Sequence, residues 1–247
     1  MTRGGPGRAT AAALVGLALA NGAVWSGAFL FLRPASPPAT AVPVPVMASP
    51  SAPAEEAADL LRVFATSDGV AVRLVSAEVV AVAFHEASYH DATALRPMGV
   101  CRPCRNRTKF SPPESRDRDL AYIVTDSRGR TTPATSAADI VLRRGAEVMA
   151  PVSGVVTRVK RYRLYSRYRD VRVEIRPEGV PDRRVILLHL ARVPVRPGDP
   201  VEASVTVLGG VRRFGFESQV DRYVRGRYPH VHMEVKDPAA RRTSKTS

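Results

Sequence analysis

The chain has 247 residues, enough for one or two domains. Its 37 Lys+Arg against 23 Asp+Glu give a formal net charge of +14, which favours anionic partners. Only Lys109, Lys160, Lys236 and Lys245 are lysines, and the remaining basic residues are arginines among abundant Ala, Val, Pro and Gly. That pattern reads as GC-rich coding bias. With no basic stripe set in a recognisable nucleic-acid motif, nucleic acid is not expected as a partner.

The N-terminus carries Arg3 and Arg8, then an uncharged apolar run from Thr10 to Leu32 closed by Arg33. About 20 apolar residues span a hydrocarbon core. The basic flank on the short N-terminal side predicts one membrane-spanning helix within residues 1–33, with the C-terminal part outside. A cleaved signal peptide competes, because Ala18-Leu19-Ala20 resembles a cleavage site, but the apolar run continues well past it. Residues 34–58 begin with seven prolines between Pro34 and Pro53 and read as an extended tether.

Residues 59–130 form a β-rich lead-in. Glu55 to Ala65 has Ala57, Leu60, Leu61 and Phe64 at helical spacing and predicts a short helix. Val70–Val75 and Val79–Phe84 are short, β-branched strand candidates, as is Tyr122–Val124, followed by a Ser127–Arg130 turn. Pro97–Pro113 reads as a loop. Cys101 and Cys104 within it form a lone C-x-x-C, able to pair or to remain a labile thiol pair. A zinc site of that type would need a second cysteine pair, which the sequence lacks.

Residues 131–238 read as continuously β, with strand candidates at Val148–Ala150, Gly154–Val159, Val171–Ile175 and Val185–Leu190. Val195–Val201 is a tight turn between strands. The fold class expected is mainly β, an antiparallel sandwich of about 110 residues. Lys160–Arg169 mixes basic residues with Tyr162, Tyr165 and Tyr168. It reads either as a grip for an acidic polymer or as a solvated strand pair with tyrosines packed inward. Residues 239–247 form a polar tail.

Two of the five histidines, His230 and His232, stand at i, i+2 in an apolar run. Alternation along a strand points both to one face, where imidazoles can share a metal or work beside it.

The order of segments from Ala134 to Val235 resembles the lysostaphin/LytM-type zinc endopeptidases, which cleave peptide bridges of the bacterial cell wall. The matching blocks are Ala138-Asp139-Ile140 with Gly145, Val148 to Gly154-Val-Val, Leu187-Leu-His189-Leu, Val195 to Val201, and Pro229-His230-Val-His232-Met-Glu-Val. The resemblance implies that Asp139 and His232 bind zinc, and that His189 and His230 are catalytic beside it. The family's first ligand is the His of H-x-x-x-D, but here Thr135 stands four residues before Asp139. A hydroxyl is a poor zinc ligand, so zinc is expected weakly or not at all unless another residue fills in. His85 is the candidate replacement; the alternative is that His85 and Glu86 cap a strand or bond locally. The resemblance implies peptidoglycan, or another anionic wall polymer, as the partner of a membrane-tethered peptidase. An inactive module that binds the polymer or regulates a partner hydrolase is the alternative. A lipoyl-like adaptor is a second alternative, on the Ala150 to Val156 and Val195 to Ala203 half-motifs.

Overall fold

The computed structural model describes residues 61–102, Lys109 and 120–240. The expected membrane-spanning run and the tether lie outside these residues. No described helix is long and apolar enough to cross a membrane.

The described residues are mainly β. In chain order the strands are β1 (Val63–Ser67), β2 (Val70–Arg73), β3 (Val79–His85), β4 (Arg96–Pro97) and β5 (Val100–Cys101). Next come β6 (Ala121–Val124), β7 (Ala137–Leu142), β8 (Glu147–Met149), β9 (Gly154–Leu164) and β10 (Tyr168–Pro177). Then follow β11 (Arg184–Ala191), β12 (Pro200–Val201), β13 (Val207–Val211) and β14 (His230–Lys236). One 3₁₀ turn, Gln219–Arg222, precedes β14.

Val63–Ala65, expected to end a short helix, instead belong to β1, which pairs with β2 and β4 in a three-stranded sheet. Leu61 and Phe64 are buried in the main core, and long-range pairing outweighs the weak local helical spacing. Residues 55–60 lie outside the described set. Within the expected loop, β4 and β5 supply two short strands. Cys101 is disulfide-bonded, and there is no free cysteine among the described residues; Cys104 lies outside them.

The large sheet has the order β12-β9-β10-β11-β14-β7-β3-β6-β5, with β13 paired to both β11 and β8. Its centre is antiparallel, whereas β6 runs parallel to β3 and β5, so the sheet is mixed. Alternation sorts the central strands onto two faces. Phe84 of β3, Ile140 and Leu142 of β7, Leu187 of β11 and Met233 of β14 are fully buried in one core. On the opposite face, Ala81, Ala83 and Val141 pack under Val220, Tyr223 and Val224. That cover stops short of the next position along each strand, where polar residues take over.

Two backbone features shape the sheet. At Gly154 a Cβ would collide with the carbonyl oxygen of Arg176 on the paired strand, so only glycine lets β9 and β10 approach there. The β10–β11 ladder carries a register shift, with Val171 opposite Leu190 but Val173 opposite Leu187. The extra residue lies in β11, where His189 has φ +70°. A β-branched residue would resist that left-handed conformation; histidine accepts it at a cost of about 1–2 kcal/mol.

Candidate metal and histidine site

The polar face of four adjacent strands, β11, β14, β7 and β3, brings the site together. His232 lies directly opposite Asp139 in the β14–β7 ladder. Asp139 lies opposite Ala83 in the β7–β3 ladder, and His85 is two residues further along β3 on the same face. Leu188 lies opposite His232, and the bulge turns the next residue, His189, onto the same side. Without the bulge, His189 would share the core face with Val185 and Leu187.

His85, Asp139 and His232 each offer one ligand atom, all within 4.8 Å of one another. His85 Nε2 stands 3.1 Å from Asp139 Oδ1, and His232 Nδ1 stands 2.9 Å from the same oxygen. The outer nitrogen of His85 fixes its tautomer. His85 Nδ1 lies 2.9 Å from the Glu86 carbonyl oxygen, which can only accept, so Nδ1 carries the proton. In that tautomer Nε2 presents a bare lone pair to the Asp139 carboxylate. Accordingly His85 Nε2 is buried without a hydrogen-bond partner. His232 stands between two carboxylates, with Nε2 3.0 Å from Glu234 Oε1 and Nδ1 2.9 Å from Asp139 Oδ1, and as an imidazolium it donates to both.

The His85 lone pair beside a carboxylate calls for a cation, and the proton on His232 Nδ1 holds a place that a metal would take. Burial disfavours a charged His232, but hydrogen bonds to Asp139 and Glu234 push it up to about 9. Burial opposes the charge on Asp139, yet His85, His230 and His232 hold its carboxyl well below the usual range. Glu234, despite burial, is held down to about 2 by His232 and Lys236. Lys236 Nζ lies 2.9 Å from Glu234 and 2.8 Å from Asp91, which anchors the outer end of the row.

Ligands about 2 Å from one ion stand within about 4 Å of each other. The observed spread closes with ångström-scale side-chain movement. Two imidazoles and one carboxylate, each imidazole tied by its second nitrogen to a fixed acceptor, are a donor set that suits zinc with one position left open. Thr135 does not take part in it: its hydroxyl donates to the Leu95 carbonyl at 2.7 Å.

The two remaining histidines of the expected site stand beside this cluster. His230 Nε2 lies 3.9 Å from Asp139 Oδ2, and the rings of His189 and His230 meet edge to face with centroids 5.2 Å apart. Burial, partly opposed by Asp139, pushes His230 down to about 3, so it is neutral near pH 7. His189 Nδ1 donates to Asp170 Oδ2 at 2.7 Å, leaving its Nε2 open. Asp170 is 2 % exposed and also accepts from the Tyr162 hydroxyl at 2.8 Å and the Val171 amide at 2.8 Å. Burial and Asp170 raise the Tyr162 phenol, which keeps it a donor. Arg212 Nη1, 3.6 Å away, balances the buried charge.

Asp170, Glu234 and Arg128 are functional candidates that the sequence reading missed. Glu234 continues the His230, His232 alternation, and that spacing would have found it. Asp170 is a lone carboxylate in an Arg- and Tyr-rich strand, a weak signal. Arg128 has none. Its guanidinium reaches to 4.0 Å from Asp139 Oδ2, with a side chain 19 % exposed and Nε buried without a partner. Its backbone is fixed by Glu86, whose carboxylate accepts from Ser127 Oγ at 2.6 Å and from the Arg128 and Arg130 amides at 2.9 Å each. In place of the expected Ser127–Arg130 turn the chain makes a bend at Gly129, and Glu86 clamps this segment.

No family model and no curated protein matches the chain. Among solved structures it is similar to lysostaphin in solution, at 19 % identity over 44 % of this chain and 42 % of that one, TM-score 0.30. It is similar to pseudoalterin, an M23 metalloprotease from the deep sea, at 17 % identity over 47 % and 62 %, TM-score 0.31. It is also similar to a zinc-containing peptidase from Vibrio cholerae, at 21 % identity over 43 % and 30 %, TM-score 0.28. The chain spans less than two thirds of each of these structures.

Proposed function

We propose that this chain is a zinc-dependent peptidase acting on the peptide part of bacterial cell-wall polymer, with His85, Asp139 and His232 as the metal ligands. The observation that carries the reading is the convergence of His85 Nε2, Asp139 Oδ1 and His232 Nδ1 beside an open, Asp170-held His189. Bound there, zinc would supply Lewis acidity to a scissile carbonyl and to a water.

The chain's own groups supply the rest. His189 Nε2, left unprotonated by donation from Nδ1, takes a proton from the attacking water and returns it to the leaving amine. His230, neutral and wedged between Asp139 and His189, offers a second nitrogen to the reacting centre. Arg128 is a fixed cation beside Asp139, suited to stabilising developing negative charge. The role of first imidazole, which the sequence leaves empty at Thr135, passes in this reading to His85.

The test is metal analysis of the purified protein together with digestion of isolated peptidoglycan. One zinc per chain is expected, with release of new amino termini that stops on chelation and returns with zinc. A metal-free protein that releases no amino termini with added zinc defeats the peptidase reading and leaves a wall-binding module.

We further propose that residues 10–32 tether this domain outside the cytoplasmic membrane. The Arg-flanked apolar run supports this. A reporter fused after Ser247 should behave as exported, and cytoplasmic reporter activity would rule the topology out.

A further inference from the structure

A row of aromatic rings leads away from the histidines. Phe214 stacks on His230 with centroids 4.9 Å apart at 28° and meets the edge of His189 at 4.9 Å. Phe216 follows at 5.1 Å from Phe214. Both phenylalanines line a recess of about 120 Å³ together with Arg144, Arg213 and Arg227. All three arginines are exposed. Among the described residues none of them has a carboxylate partner; Arg144 donates only to the Arg227 carbonyl, at 3.3 Å. Asp221, the one carboxylate lining the recess, is already engaged by the Ser218 amide at 2.7 Å and the Ser218 hydroxyl at 3.0 Å.

Resting on the peptidase reading above, the geometry points to this recess as a subsite for an acidic side chain of the substrate peptide, next to the bond that is cut. A space of this size takes a side chain rather than a folded partner. Its phenylalanine rings suit the methylene stem of a glutamate-like residue, and its guanidiniums suit the carboxylate. Because Phe214 lies against both His189 and His230, a group seated there is contiguous with the reacting centre. The substrate class is thus a peptide that carries an acidic residue next to the scissile bond.

The test uses the purified full-length chain with chelator present, so that binding is read without hydrolysis. The probes are fluorescein-labelled Ala-Glu-Ala-Glu-Ala and its glutamine counterpart, followed by fluorescence anisotropy. The acidic peptide should bind about tenfold more tightly at low ionic strength, and the advantage should shrink with added salt. The double variant Arg213→Gln, Arg227→Gln should abolish the preference, whereas Arg176→Gln, Arg196→Gln, exposed elsewhere on the domain, should keep it. Equal affinity for the two peptides, or a preference that survives in the Arg213, Arg227 variant, overturns the subsite. Acid-selective binding lost in that variant, by a protein that cuts no wall peptide with zinc restored, supports the subsite and removes only the peptidase reading.

Discussion

Replacing His85 with alanine should release the metal, lowering zinc affinity by more than about a hundredfold, since loss of even an outer partner of a ligand costs 10–100-fold. The expectation follows from geometry. His85 Nε2 has no other partner, and its ring is oriented by the Glu86 carbonyl behind it. Two ligands, Asp139 and His232, would remain, too few for a closed catalytic site. Because His85 is 1 % exposed, its truncation also leaves a cavity. His85→Gln, which fills most of that space and offers a weaker donor, separates lost volume from lost ligation. Thr135→His gives the opposing control. The Thr135 hydroxyl is committed to the Leu95 carbonyl, so an imidazole introduced there should change affinity by less than about threefold, under 1 kcal/mol. Competition with a chromophoric chelator reads all three variants. Full zinc retention in both His85 variants, or a large gain from Thr135→His, would return the first ligand position to Thr135 and show the native site to be degenerate.

Asp170→Asn should lower kcat on wall peptide by roughly a hundredfold or more, while KM and zinc content stay near their wild-type values; loss of the carboxylate behind a catalytic histidine has comparable effects in serine proteases. Asp170 is a positioning residue here. It accepts the Nδ1 proton of His189 and thereby keeps Nε2 free to take a proton. An asparagine can turn its amide nitrogen toward Nδ1, which moves the proton to Nε2 and closes the base. The amide is nearly isosteric, and with its nitrogen in the place of Oδ2 the Tyr162 hydroxyl can turn to accept from it, so the fold should persist, with thermal melting as the check. A fall in kcat matched by equal loss of zinc, or by unfolding, would assign Asp170 to structure alone. Unchanged kcat would remove His189 from the chemistry.

The sequence by itself determined the strand-rich character and the shared face of His230 and His232. Each of these depends on alternation within a single strand, which neighbouring residues carry. It also exposed the gap at Thr135 and named His85 as a replacement, but could not choose between that and local capping. Only the tertiary structure decided where His85 goes, because the position depends on β3 pairing with β7 in one register, across a separation of more than fifty residues in the chain. A slip of one residue would turn His85 into the core, and the register is held by burial of Phe84 and Ile140 on the other face. His189 shows the converse: its alternation with Leu187 assigns it to the core, and a single left-handed residue in a bulge reverses that. Asp170 was hidden for the same reason, since its value lies in a partner on the neighbouring strand. Local pattern sets which face a side chain takes; register and bulges, fixed by packing of distant segments, set what it meets there.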